Sequence, residues 1–424
     1  MRVIVSHPGT GPFVRQTIRA FHEAGSLEAF HTSLAFGSGS LLSTIATNAA
    51  FSSRLTSIAK RLDQRVIADI PADLVKVHPF REICRLAAGR LAGTVVLDTV
   101  WEWSEIGFDR GVAKHVAAPG DAVYAYEHAA LETLQVAREK GLLAIYEMPA
   151  PHHALTSRVF REEYEKFPEL FDPVAKELAN RTCRRDARRE EELGLAQVIV
   201  CNSRLTEQSL IDAGVDSRRI VRVPLGMPPL SAMEGRPEEG PKQIFLHAGT
   251  MSLRKGTHYL LRAWRRVRPP RSAELRLFGK LDLPVTSVKH LPDNVYISGT
   301  ISRDELKRWY QRSALLMFPT LLDGFGMVLT EAMAAGLPVL TTRRAGSSDF
   351  IDHGSNGFLV PPADDEAIAE SLDWCFSHPV ELAEMRQHCL RRAESWQWPD
   401  YRECLRNQLM RRDGFARQHR TPGV

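Results

Sequence analysis

The stretch Phe318 to Leu340, FPTLLDGFGMVLTEAMAAGLPVL, limits the fold of this chain more than any other, because a strand end, a glycine turn, a helix and a second strand follow one another in it. Leu315-Leu316-Met317-Phe318 has the continuous apolar character of a strand buried on both faces, and Pro319 stops it. Gly324-Phe325-Gly326 makes a turn at which backbone can come close to a ligand. From Met327 to Ala335 the residues are good helix formers, Gly336 suits a left-handed cap, and Leu337-Pro338-Val339-Leu340 opens the next strand. This is a βαβ crossover, and it predicts an α/β fold of doubly wound parallel sheets.

A helix that starts behind a glycine turn offers unpaired N–H groups and positive potential, which suits a diphosphate. Asp323 and Glu331 stand before and within that helix, where carboxylates accept hydrogen bonds from hydroxyls such as those of a sugar and a ribose. Taken singly, each acid is equally an ordinary turn or surface residue. Together with the glycines and the following EAMAAGLPV, the pair resembles the acidic motif of the retaining GT-B glycosyltransferases, glycosyltransferase family 4, also called glycosyl transferases group 1. That motif carries two glutamates, and here the first is Asp323. The resemblance implies two Rossmann-like domains facing a cleft, with Asp323 toward the transferred sugar and Glu331 on the ribose.

At 424 residues the chain is long enough for two domains. Its 44% apolar and 25% charged content is that of a globular protein, and no apolar run reaches membrane-spanning length. Met1-Arg2-Val3-Ile4-Val5 enters a strand at once, so a signal peptide is not expected and a cytoplasmic location is. Cys84, Cys183, Cys201, Cys375, Cys389 and Cys404 show no paired spacing, which argues for reduced thiols and against a zinc site. The net charge of +4 is small, and the arginines lie along helices without interleaved aromatics, so nucleic acid is not an expected partner.

Arg2 to Ser6, the loop His7-Pro8-Gly9-Thr10-Gly11-Pro12 and the helix Phe13 to Ala24 read as the first strand, loop and helix of a doubly wound sheet. By resemblance Gly9 and Gly11 line the cleft near donor phosphate or acceptor; a tight turn accounts for them equally. Leu41 to Ile70 and Leu74 to Ala88 read as basic helices, and residues 41–93 as a surface for peripheral contact with an anionic membrane, or simply as a solvated face. Ala122 to Tyr126, Ala129 to Lys140 and Leu142 to Tyr146 form another βαβ unit. Many family members have a sugar-contacting histidine after its second strand, where this chain has Glu147. His152 and His153 follow a few residues later, either on the acceptor side or as loop residues without a role.

Val198 to Cys201 resembles the last strand of the family's first domain, and Met227 to Gly240 has linker composition. The expected division is 1–226 for the acceptor-side domain, 227–398 for the nucleotide-sugar domain, and a helix in 399–424 that returns to the first, after a bend enforced by Pro399. In the second domain Gln243 to Gly249 is a strand, and Arg254-Lys255-Gly256 precedes a helix. Lysine supplies a point charge and arginine a fork for a diphosphate. Lys255 matches the family's phosphate lysine, although surface decoration is the plainer reading of one cation. Many members place an arginine where Thr250 stands, and Thr250 keeps one hydrogen bond to give. Gly299 and Thr300 end another strand and, by resemblance, line the nucleobase; a plain turn serves as well.

The function implied is retaining transfer of a sugar from a nucleoside diphosphate sugar, a co-substrate and not a resident cofactor, to a carbohydrate or glycolipid acceptor in polysaccharide or glycoconjugate synthesis. Lys255, Arg254 and the N–H groups of Gly324, Phe325, Gly326, Met327 and Val328 would stabilise charge on the leaving phosphate. No Asp-x-Asp motif of the GT-A kind occurs, and Asp364-Asp365 reads as a helix cap, so no metal site is expected. Two rivals share the fold: a sugar-nucleotide epimerase, and a non-catalytic partner subunit, which Thr250 and Glu147 favour.

Overall fold

A computed structural model describes residues 1–37, 65–67, 69–89, 93–117, 120–171, 173–230 and 243–418. In chain order the first strands are β1 (Val3–Ser6), β2 (Leu27–Thr32), β3 (Phe36–Gly37), β4 (Val66–Ile67), β5 (Val75–Val77), β6 (Ala122–Tyr126), β7 (Leu143–Met148), β8 (Val198–Cys201) and β9 (Ile220–Arg222). Seven of them form one sheet in the order β5-β2-β1-β6-β7-β8-β9, and every pairing is parallel. The later strands are β10 (Gln243–Ala248), β11 (Ala273–Phe278), β12 (Val295–Ser298), β13 (Leu315–Phe318), β14 (Val339–Thr342) and β15 (Gly357–Val360). They form a second parallel sheet in the order β12-β11-β10-β13-β14-β15. Both orders reverse direction beside their first strand, the place where open α/β sheets open a crevice at their strand C-termini.

The helices are α1 (Pro12–Glu23), α2 (Pro79–Ala88), α3 (Thr94–Ala113), α4 (Leu131–Glu139), α5 (His153–Lys166), α6 (Pro173–Leu195), α7 (Arg204–Asp212), α8 (Thr257–Val267), α9 (Arg303–Arg312), α10 (Met327–Ala334), α11 (Asp365–Ser377), α12 (Pro379–Glu394) and α13 (Trp398–Gln418). Alternation along each strand feeds two layers. In the first sheet Val3, Val5, Tyr124, Tyr126 and Ile145 pack toward α1 and α13, while Ile4, Val123, Ala125 and Tyr146 pack toward Phe108, Val112 and Leu134. In the second, Leu246, Leu316 and Phe318 meet Leu329 and Met333 of α10, and Phe245, Leu275 and Met317 meet Tyr259 and Trp264 of α8.

The crossing between the halves is tightly paired. Met227 N–H donates to Trp396 O at 3.0 Å and Trp396 Nε1 to Pro224 O at 3.1 Å. A Cβ on Gly226 would lie 2.5 Å from the backbone of Trp398, so only glycine fits there. Tyr401, Leu405 and Leu409 then bury one stripe of α13 beside α1, where Arg402 pairs with Glu23 at 2.8 Å.

Two expected elements are corrected. Val66–Ile67 pairs with Phe36–Gly37 as a strand and residues 69–70 are a bend instead of continuing a helix, and residues 41–64 of the expected helix, with Arg54, Lys60 and Arg61, lie outside the described residues. The expected helix over Leu74 to Ala88 is instead a short turn, the edge strand β5 and then α2. Pro79 cannot sit inside a helix but suits its first turn, and Val75 and Val77 favour the sheet. Among the described residues no helix is long and apolar enough to cross a membrane, and Cys84, Cys201, Cys375, Cys389 and Cys404 are free thiols. Asp364 caps α11, accepting from Glu366 and Ala367 N–H at 3.1 and 2.9 Å.

Candidate functional site

At the C-terminal end of β13 the chain is stapled to the turn before α8. Leu321 N–H and Thr320 Oγ1 both donate to Arg254 O, at 2.8 and 2.9 Å. Gly256 is left-handed at φ 66°, and a Cβ on it would lie 1.9 Å from Pro319 O. This close approach fixes Lys255 over the strand end. Its ammonium sits 4.7 Å above the centre of the Phe318 ring and pairs with Asp323 Oδ2, with Arg254 4.0 Å from the same oxygen. Burial pulls Lys255 below the usual lysine range; Asp323 opposes that fall and Arg254 adds to it. Beneath Phe318, burial also lowers His247 to about 4, while its Nδ1 bonds Met317 O at 2.9 Å.

Asp323 is held on every side. Its N–H donates to Arg344 O at 2.9 Å, its carbonyl accepts from Gly346 N–H at 3.0 Å, and Oδ1 accepts from Phe325 N–H at 3.2 Å. Phe325 therefore leaves the expected set of phosphate donors, and its ring is buried against Phe350. Gly324 has a different reason to be glycine from the one expected. A Cβ there would lie 2.0 Å from Pro149 O of the first half, and Ser203 Oγ donates to Gly324 O at 3.1 Å. Its smallness serves the approach of the two halves. Gly326 caps α10 in the left-handed region at φ 82°, with the Phe318 ring 3.3 Å from where its Cβ would be. Behind it Met327 and Val328 open the helix, where no helical carbonyl can take their N–H groups. Ammonium, ring and helix start are thus contiguous.

Glu331 lies in the second turn of α10, partly buried. Tyr310 OH of α9 donates to its Oε2 at 3.3 Å; burial raises Glu331, against Arg303 and Tyr310. The ends of β10, β11 and β12 stand in a row. Gly249 and Gly279 both have positive φ and touch, since a Cβ on Gly279 would lie 1.9 Å from Gly249 O; Gly279 N–H reaches Gly299 O at 3.2 Å. Thr250, Gly299 and Thr300 are exposed along this row. Tyr310 and His247 have no local signal in the sequence, because each is a buried polar ring on an apolar face, and Arg303 is indistinguishable there from an ordinary exposed helix residue.

On the first-half side, Gly9 N–H donates to His7 Nδ1 at 2.8 Å, and burial lowers His7 to about 4. Neither Gly9 nor Gly11 is left-handed, and the nearest atoms to an added Cβ are at 3.4 and 3.7 Å, so packing does not demand glycine at either. Glu147 is in the core, accepting from Tyr124 OH at 2.6 Å. His152 and His153 each have Nε2 3.1 Å from Glu190 Oε1. Among the described residues these three are the group whose donor atoms, all within 4.8 Å, lie close enough to share a cation. His152 Nδ1 accepts from Ala154 N–H at 3.2 Å, which puts its proton on Nε2 facing Glu190, so hydrogen bonding accounts for the cluster.

Residues 242–378, which carry the whole of this lysine and glycine-turn arrangement, match the family described as Glycosyl transferases group 1. The two sheets have the GT-B fold of the solved structures below, and the match to glycosyl transferases group 1 lies in the second of them. Among curated proteins the chain is similar to the uncharacterized glycosyltransferase MJ1607 of Methanocaldococcus jannaschii, 30% identical over 140 residues that span 31% of this chain and 35% of that one. It is also similar to the MMP alpha-(1->4)-mannosyltransferase of Mycolicibacterium hassiacum, 28% identical over 214 residues, 48% of this chain and 51% of the relative. The chain thus spans about half or less of the length of these relatives. Of solved structures, Anabaena Alr3699/HepE in complex with UDP aligns with TM-score 0.61 at 15% identity, covering 97% of this chain and 100% of that one. Sucrose-phosphate synthase (tll1590) of Thermosynechococcus elongatus aligns with TM-score 0.64 at 17% identity, covering 98% and 100%.

Proposed function

We propose that the protein is a retaining glycosyltransferase that moves a sugar from a nucleoside diphosphate sugar to an acceptor hydroxyl of a carbohydrate or glycolipid, in the cytoplasm. The observation that carries the reading is the Lys255 ammonium on Phe318, next to the Gly326 cap of α10, inside the segment that matches glycosyl transferases group 1. In this reading the β-phosphate lies between Lys255, Arg254 and the N–H groups of Gly326, Met327 and Val328, which stabilise the negative charge that grows as the glycosidic bond breaks. Asp323, now paired with Lys255, gives that cation over to the diphosphate and accepts from sugar hydroxyls. Glu331, oriented by Tyr310, takes the ribose, and the row from Thr250 to Thr300 faces the base. For transfer on the donor's own face, the leaving phosphate accepts the acceptor proton.

Thermal-shift titration with UDP, GDP, ADP and CDP, followed by transfer assays with the sugar nucleotide of the stabilising base, tests the proposal; UDP comes first because Alr3699/HepE is crystallised with it. Stabilisation by none of the four sinks it. Isomerised donor in the absence of acceptor would assign an epimerase, and binding without turnover a partner subunit, for which exposed Thr250 in place of an arginine is the argument.

We also propose peripheral membrane contact through residues 41–93. Phe80 is 72% and Ile83 55% exposed on α2, which supports contact; Arg65 and Arg85 are tied to Glu82, which removes two of the expected basic groups from it. Sedimentation with anionic vesicles decides, and Phe80→Ser with Ile83→Ser should release the protein to the supernatant.

A further inference from the structure

Helix α5 is encoded between two strands of the first sheet, yet Leu155, Val159 and Phe167 pack on the apolar cluster behind the second. Glu163 falls on the same stripe, at the four-residue spacing of one helix face. Its side chain is 4% exposed; Oε2 lies 3.1 Å from His258 Nε2, and Oε1 accepts from Tyr259 OH at 3.0 Å. The Phe167 ring closes over both, 5.1 Å from His258 and 5.6 Å from Tyr259. A carboxylate so buried is costly unless it is fully bonded, and here both oxygens go to adjacent residues of one turn. That turn is the first of α8, directly behind Lys255 and Gly256.

We propose that Glu163 is a positioning residue for Lys255, through which the first half of the chain sets where the ammonium meets the donor diphosphate. The inference rests on the donor site proposed above. Contact of Gly256 with Pro319 O holds the turn against β13, which leaves a tilt of α8 as the freedom that moves Lys255; Glu163 opposes it through two neighbouring side chains. The other end of α5 begins at the loop whose Pro149 carbonyl packs on Gly324. The helix and the loop that leads into it therefore touch both flanks of the lysine site, so a shift of the first half reaches the phosphate without a residue that contacts it.

The test is calorimetric binding of the nucleoside diphosphate that stabilises the intact chain, and of its parent nucleoside, to wild type, Glu163→Gln, Lys255→Ala and the double variant. Glu163→Gln is expected to weaken the diphosphate about tenfold, leave the nucleoside unchanged, and add nothing in the Lys255→Ala background. Tyr259→Phe, which removes one side of the contact, should shift the diphosphate in the same sense and serves if Glu163→Gln does not fold. Wild-type diphosphate affinity in these variants overturns the proposal, as does an equal loss for diphosphate and nucleoside or losses that add with Lys255→Ala. If wild type binds no nucleoside diphosphate, the donor-site reading itself falls and takes this inference with it.

Discussion

Glu147→Gln should stabilise the protein in a way that depends on pH. Glu147 is buried among Tyr124, Tyr126 and the Tyr401 that α13 brings back, and burial lifts it from an ordinary 4.5 to about 7 against the hydrogen bonds of Tyr124 and Tyr126. The folded state thus holds a proton that the unfolded chain has lost. The stabilisation tied to that proton is complete below about pH 4.5 and is lost as pH rises through about 7. A displacement of this size makes the charged form cost about 3 kcal/mol. Glutamine keeps the shape of the protonated acid and accepts the Tyr124 hydroxyl without the charge. Urea titrations of both proteins at about pH 4 and about pH 8 should show near-equal stability at the first and a variant ahead by about 3 kcal/mol at the second. Groups common to both cancel in the difference. A gap that does not change with pH, or one larger in acid, refutes the buried-acid reasoning.

Lys255→Ala should lower transfer about a hundredfold or more while circular dichroism stays unchanged, and wild-type rates would remove Lys255 from the site. Glu331→Gln, which keeps the Tyr310 contact but loses the charge, should raise the donor KM about tenfold and leave nucleoside-free pyrophosphate binding alone, as competition assays can read. Gly324→Ala places a methyl 2.0 Å from Pro149 O and should cost about 1–3 kcal/mol with a fall in activity; unchanged melting and rate would show that the halves do not need this contact.

Much of the fold was legible because its strands are buried on both faces and announce themselves as unbroken apolar runs ended by glycine or proline. Phe318 to Leu340 is the clearest case, and β13, α10 and β14 fall where the pattern puts them. The segment from Leu74 to Ala88 departs from the expected helix because Val75 and Val77 make only a three-residue edge strand, too short for a period to show, and Pro79 sits at a helix start. At the proposed site, Lys255 and Asp323 stand out through the family resemblance, but their pairing with each other has no signal in the sequence, since it depends on how far Gly256 lets the turn approach β13. Gly324 was noticed for the wrong reason: a sequence shows that a Cβ is missing and not which backbone fills the space. Tyr310 and Glu163 act through contacts between elements far apart in the chain, and nothing near them in sequence points there.

The contacts between the halves gather on the segments that make up the proposed donor site. Gly324 meets Pro149 and Ser203 one residue after Asp323; Asp349 Oδ2 accepts from Arg204 N–H at 3.0 Å and lies 3.7 Å from Arg222; Glu163 holds the turn after Lys255. A lysine that burial already disfavours as a cation is sensitive to its distance from Asp323 and from any phosphate, because in a site of low dielectric small displacements carry large Coulomb changes. The position of the first half is therefore a variable of the charge at the site, and not only a wall of the cleft. Ser203→Ala, which removes the hydroxyl on Gly324 O, should then change donor affinity more than it changes melting; the reverse order would mean that the interface serves stability alone.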